Sequence, residues 1–185
     1  MANFMRISHT LEQAEMEKTT KQVLAGLQLA MQAELTGREF YKMAAKNTKD
    51  PQGKKVFEEL AAEEEEHYKL LGQAVTALTT EGKLPKTLRM KKGTKLKAAH
   101  PIFSNDFKKR LKKAHFEMSA LAVAVQLELN AINHYKAEAQ KAPTADVKSF
   151  YLDLVKWEVG HYDAFLKQQQ ELQESYWSEQ GFAPF

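Results

Sequence analysis

Glu34 is followed 30 residues later by Glu64 and, three residues further on, by His67. The same spacing returns in Glu128, Glu158 and His161, offset by 94 residues. Residues three apart on a helix share a face, so each Glu-x-x-His can turn a carboxylate and an imidazole toward one point. Four carboxylates and two imidazoles in this order are what a four-helix bundle needs to hold two metal ions in its core. No other feature limits the possible folds as strongly.

The rest of the chain agrees with a bundle. Four stretches, near 20–46, 52–79, 115–141 and 145–175, have helical periodicity and no internal proline. The first two are joined by Asn47-Thr48-Lys49-Asp50-Pro51-Gln52-Gly53 and the last two by Lys141-Ala142-Pro143-Thr144-Ala145-Asp146. Both joints are rich in turn formers, and Thr144 or Asp146 is placed to cap the following helix. Short joints predict two antiparallel hairpins. Residue 49 lies midway between Glu34 and Glu64, and Pro143 midway between Glu128 and Glu158. The carboxylates of each hairpin therefore fall at one height, roughly 22 Å from the turn at 1.5 Å per residue.

One domain is expected, divided into a hairpin over 20–79, a crossover over 80–114, a second hairpin over 115–175 and a tail over 176–185. The crossover is long enough to run the length of the bundle, so the third helix can begin at either end of the second. A short helix is expected near 105–113. The halves also match at the 94-residue offset in Gln32/Gln126, Leu35/Leu129, Tyr41/Tyr135, Lys42/Lys136, Leu60/Leu154 and Tyr68/Tyr162. A duplicated hairpin folded about a pseudo-twofold axis explains this.

Each of the four glutamates lies on the apolar stripe of its helix; Leu27, Met31, Glu34 and Tyr41 form one such stripe, and Leu121, Val125, Glu128 and Ile132 another. Glutamate is buried only when something pairs with it, and those faces offer no lysine or arginine. A metal centre built from Glu34, Glu64, His67, Glu128, Glu158 and His161 is the economical answer. Two divalent ions would balance the four carboxylates. Oxygen and nitrogen donors without thiolate suit iron, manganese, cobalt or zinc. Tyr41 and Tyr135 stand two turns beyond Glu34 and Glu128, placed either to hydrogen-bond a ligand carboxylate or to pack in the core. Within residues 63–66 only Glu64 has the phase of a ligand; the others read as a solvated face. His9, His100, His115 and His134 read as ordinary histidines, and Trp157 and Trp177 as packing residues.

The chain has no cysteine, which excludes disulfides, iron–sulfur clusters and a rubredoxin-type iron site within it. The first 20 residues show no signal-peptide pattern and no stretch has transmembrane length, so the cytoplasm is expected. Net charge is +3, but residues 81–113 hold 12 of the 27 basic residues and only two acids, Glu81 and Asp106. This strap is expected to be solvated, to offset an acidic bundle or to dock an acidic electron donor. Binding of nucleic acid or another anionic partner through it is the rival reading, disfavoured because the run lacks interleaved aromatics. A metal site without turnover is a further alternative.

The residues Glu34 with Glu39-Phe40-Tyr41, Glu64-Glu65-Glu66-His67, Glu128 with His134-Tyr135, and Glu158-Val159-Gly160-His161 resemble the ferritin-like di-iron superfamily, most closely its rubrerythrin branch. The likeness covers about residues 20 to 170. It implies an all-α, ferritin-like four-helix bundle with a long crossover between the second and third helices. It further implies two iron ions per chain, with zinc or manganese as substitutes, reacting with hydrogen peroxide or dioxygen in a homodimer. Two departures stand out. The sequence has no cysteine for a rubredoxin-type segment, so electrons are expected from a separate donor protein. The extra glutamate that rubrerythrins carry three residues after the third-helix ligand is replaced by Ala131, with Gly37 as its counterpart.

Overall fold

The computed structural model describes the backbone of residues 2–89, 96, 101–108 and 114–179, with side chains from 13 to 177 within those ranges. Five helices follow in order: α1 Ala2–Asn47, α2 Pro51–Glu81, α3 Asn105–Lys108, α4 His115–Lys141 and α5 Ala145–Glu179. No strand occurs among the described residues. The architecture is an all-α, ferritin-like bundle in which α1 packs on α2 and α4 on α5.

The turns form where the sequence places them. Asp50, in an extended conformation, caps α2 by accepting a hydrogen bond from the Gly53 N–H at 3.0 Å, and Pro51 fills the first helical position. Thr144 caps α5 in the same way, its hydroxyl accepting from the Val147 N–H at 3.3 Å. Asp50 and Thr144 are themselves 94 residues apart, so the repeat extends to the caps. Helix α2 ends at Gly82, whose φ of 68° is left-handed and whose N–H donates to Leu78 at 3.1 Å.

Two boundaries differ from expectation. Helix α1 begins at Ala2 rather than near residue 20, because nothing upstream breaks it: residues 2–19 contain neither glycine nor proline, and the hydroxyls of Thr19 and Thr20 bond back to the carbonyls of Glu15 and Met16. Helix α5 runs to Glu179, so the expected tail is helical in its first four residues. The short helix of the crossover covers Asn105–Lys108; the rest of its expected span, 109–113, lies outside the described residues.

The crossover spans the bundle from end to end. Lys49, in the α1–α2 turn, donates its N–H to Glu117 at the start of α4 at 3.0 Å, so α4 begins beside that turn and runs antiparallel to α1. Of the strap's lysines Lys83 is exposed, as expected, while apolar residues of the same segment anchor it to the bundle. Leu84 at one end and Ile102, Phe103 and Phe107 at the other are buried. Arg89 donates to Ser149 and to Asp153, at 2.7 and 2.6 Å. Gln168 accepts from the Ile102 N–H at 2.7 Å, and Asp50 accepts from the Ser104 N–H at 3.1 Å. Gly53 makes room for this anchor, since a Cβ there would lie 2.5 Å from the Phe103 ring. Lys91, Lys92, Lys95 and Lys97 lie outside the described residues.

Two apolar cores fill the ends. One, beside the α1–α2 turn, stacks the rings of Tyr41, Phe57 and Phe165 with centroids 5.9–6.4 Å apart and adds Phe103, Phe107 and Leu121. The other gathers Val23, Leu27, Leu71, Ile132, Tyr135, Phe150, Tyr151 and Leu154. Between them lies a layer of buried carboxylates.

Candidate metal centre

All six residues singled out by spacing are buried, none more than 4% exposed. They converge as two overlapping groups. Glu34, Glu64, His67 and Glu158 form one, and Glu64, Glu128, Glu158 and His161 the other, with one ligand atom from each residue within 4.8 Å of the rest. Glu64 and Glu158 belong to both. Each group thus has one imidazole, one carboxylate of its own and two shared carboxylates.

The imidazoles face the layer through Nδ1. His67 Nδ1 lies 3.0 Å from Glu34, 3.2 Å from Glu64 and 3.1 Å from Glu158. His161 Nδ1 lies 3.4 Å from Glu158 and 3.5 Å from Glu128. The two rings are nearly parallel, with centroids 6.1 Å apart.

The tyrosines resolve their open reading in favour of both roles. Each is buried in a core, and each donates to a carboxylate of the opposite half: Tyr41 to Glu128 and Tyr135 to Glu34. The exchange crosses between α1 and α4 and follows the pseudo-twofold axis. Burial and the adjacent carboxylate push both phenols well above their ordinary range, so they remain donors at any physiological pH.

Without cations the carboxylates do not behave alike. Burial, with Glu34 beside it, pushes Glu64 well above the carboxylate range, and burial pushes Glu128 up to about 7. Burial acts on Glu158 in the same direction, but His67 and His161 on either side outweigh it and hold Glu158 well below the ordinary value. Both histidines are disfavoured as cations by burial, yet the surrounding carboxylates raise them well above the ordinary imidazole value. A uniform upward shift of the carboxylates, the simplest expectation for an acidic core, therefore fails at Glu158.

One residue escaped the sequence reading. Glu63, expected on a solvated face, is 4% exposed, and His161 Nε2 lies 2.9 Å from its carboxylate. The available signal was its place four residues before His67 and three after Leu60, on the flank of the apolar stripe. The neighbouring acids do face outward: Glu66 is exposed and Glu65 pairs with Arg38. His134 is partly buried, its Nε2 lies 3.0 Å from the Gly26 carbonyl, and it lines the cavity that leads to the carboxylates. His115 is exposed and Trp157 is packed, whereas Trp177 is 46% exposed rather than buried. His9 and His100 lie outside the described side chains.

That cavity, about 410 Å³, opens between α1 and α4. Leu29, Ala33, Gly37, Leu127 and Ala131 form its apolar wall, and Glu34, Glu64, Glu128 and Glu158 its floor.

The rubrerythrin family model matches residues 26–169. The chain belongs to the rubrerythrin family. The matched stretch contains every residue of the buried cluster. No curated protein and no solved structure matches the chain. Among the described residues no helix is long and apolar enough to cross a membrane.

Proposed function

We propose that this rubrerythrin-family chain holds two iron ions through Glu34, Glu64, His67, Glu128, Glu158 and His161, and that hydrogen peroxide or dioxygen oxidises the reduced pair. The observation that carries the reading is the overlap of two four-residue groups on Glu64 and Glu158. Two ions sharing two carboxylates need this arrangement, and a single ion does not. The donors fit the group on a second count. Glu158 Oε1 and His161 Nδ1 are fully buried without a hydrogen-bond partner, though each lies near an oppositely disposed ligand atom. Buried polar atoms are rarely left in that condition.

When bound, an iron pair supplies electrons to the O–O bond of the oxidant. The protein supplies the rest. Tyr41 and Tyr135 hold Glu128 and Glu34 in place from across the bundle. The aromatic and aliphatic cores above and below keep water from the carboxylate layer. Gly37 and Ala131 leave the cavity open down to Glu64: a Cβ at Gly37 would lie 3.7 Å from Glu64 Cγ, and a longer side chain would enter the floor. Zinc or manganese can replace iron on the same oxygen and nitrogen donors. A separate electron-donor protein, pairing as a homodimer and a cytoplasmic location complete the proposal.

Stopped-flow absorbance of the anaerobically reduced, iron-loaded chain tests it. Oxidation by both dioxygen and peroxide is expected, with a smaller peroxide preference than rubrerythrins that carry the extra glutamate. Ala131→Glu is expected to raise that preference. No oxidation by either reagent within minutes leaves only a metal site without turnover.

A further inference from the structure

The two halves of the centre share a ligand pattern but not what stands behind it. A carboxylate only accepts hydrogen bonds, so the Nε2 of His161, 2.9 Å from Glu63, carries the ring proton and donates it. Its Nδ1 is the nitrogen turned toward Glu64, Glu128 and Glu158. At the position equivalent to Glu63 by the 94-residue offset stands Trp157. Its ring packs edge-to-face on His67 with centroids 5.1 Å apart, and His67 Nε2 is buried with no hydrogen-bond partner.

We infer that Glu63 makes the two metal positions unequal: the ion held by His161 binds more tightly than the ion held by His67, and Glu63 is the positioning residue responsible. The inference rests on the metal-centre reading above. A carboxylate behind a ligating imidazole fixes its tautomer and orientation and makes its other nitrogen a stronger donor. Loss of such a partner typically lowers metal affinity by about 10–100-fold. On the His67 side Nε2 has no hydrogen-bond partner, the ring packed beside it is an indole that offers no comparable acceptor, and a buried polar group without a partner is itself unfavourable. Glu63 is also a further buried carboxylate near the centre. Because it stands behind His161, its charge favours a cation in the His161 group more than in the His67 group.

Chelator competition on the full chain loaded anaerobically with cobalt(II) tests this. Cobalt remaining on the protein is counted after each chelator concentration. The expected wild-type result is stepwise release, the first ion leaving at a chelator concentration about 10–100-fold below that which removes the second. Glu63→Leu is expected to bring the second step down by a similar factor and leave the first unchanged. Glu63→Gln keeps an oxygen that accepts the N–H but carries no charge, so it is expected to retain part of the separation. Trp157→Glu, which places a carboxylate behind His67, is expected to raise the first step. Proton NMR of the cobalt form provides a readout that general loosening of the fold does not mimic. The exchangeable imidazole N–H of His161 is expected to exchange slowly in the wild type and Glu63→Gln, and fast in Glu63→Leu. Two ions released together from the wild type, or both steps weakened equally by Glu63→Leu, overturn this inference alone. A wild-type chain that retains no cobalt overturns it together with the metal-centre reading.

Discussion

The hairpin of α1 and α2 and the hairpin of α4 and α5 contribute the same three residues to the buried cluster at the same spacing, and the same capping position at the same offset. Their tyrosines even exchange hydrogen bonds reciprocally, Tyr41 with Glu128 and Tyr135 with Glu34. Away from these positions they have diverged. Glu63 answers to Trp157, Gly37 to Ala131, and Gly53, which admits Phe103, to Val147. The carboxylates, the imidazoles and the tyrosines bonded to them kept their symmetry, while the residues packed around them did not. The repeat therefore specifies the inventory of the buried cluster, and the divergence specifies how the surroundings of its two halves differ.

The comparison predicts first a difference between shared and unshared ligands. Glu64→Ala or Glu158→Ala removes a carboxylate from both groups and is expected to abolish retention of both ions. Glu34→Ala or Glu128→Ala removes a carboxylate from one group and is expected to leave about one ion per chain. Elemental analysis of the four variants checks this; equal losses in all four would show that no carboxylate is shared.

Removing the metal is expected to have the next largest effect, and the effect depends on pH. Glu64 and Glu128 have raised values in the metal-free fold, as do both histidines. Folding is then favoured by proton uptake, so their contribution is fully present below the unfolded values. It is lost as pH rises through the raised ones, for Glu128 between about 4.5 and about 7. Glu158 has the opposite sign: its contribution is present above the ordinary carboxylate value and fades as pH falls through its lowered one. Thermal melts are therefore expected to show the metal-free chain losing stability from pH 5 to 8 and the metal-loaded chain losing far less. A metal-free chain as stable as the loaded one at neutral pH contradicts the account.

Tyr41→Phe and Tyr135→Phe each delete a buried hydrogen bond to a carboxylate, with an expected cost of about 1.5–3 kcal/mol. The pseudo-twofold relation predicts nearly equal costs. Denaturant unfolding of the metal-loaded variants measures them, and a cost confined to one tyrosine would break the symmetry of the exchange.

Much of this was legible in the sequence because it depends on spacing. The ligand heights follow from the turns at residues 49 and 143, and the bundle follows from four uninterrupted periodic stretches. Glu63 was hidden because a run of four acids on a helix is ordinarily solvated, and only phase distinguishes its members. Trp157 read correctly as a packing residue, but the ring it packs against belongs to another helix. The path of the crossover was equally out of reach: its length permits either end, and long-range bonds from Asp50 and Gln168 decide it. The early start of α1 was legible too: Phe4, Ile7, Leu11 and Ala14 stand at helical spacing, and nothing in residues 2–19 interrupts a helix.

The smallest expected effect concerns Gly37 and Ala131. A Cβ at Gly37 meets only ordinary contacts, at 3.7–4.0 Å, in the middle of a helix. Gly37→Ala is expected to stabilise the fold by about 0.5–1 kcal/mol and Ala131→Gly to destabilise it by a similar amount. Denaturant midpoints compare the pair. A destabilising Gly37→Ala would mean that the cavity floor is tighter than the structure shows.

The number of ions that the buried layer holds is the central quantity. Elemental analysis of the full chain after anaerobic loading and desalting gives that number without reference to activity. Two ions per chain are predicted, whether iron, cobalt or zinc is supplied. A reproducible value of one or zero would contradict a centre in which Glu64 and Glu158 serve both positions.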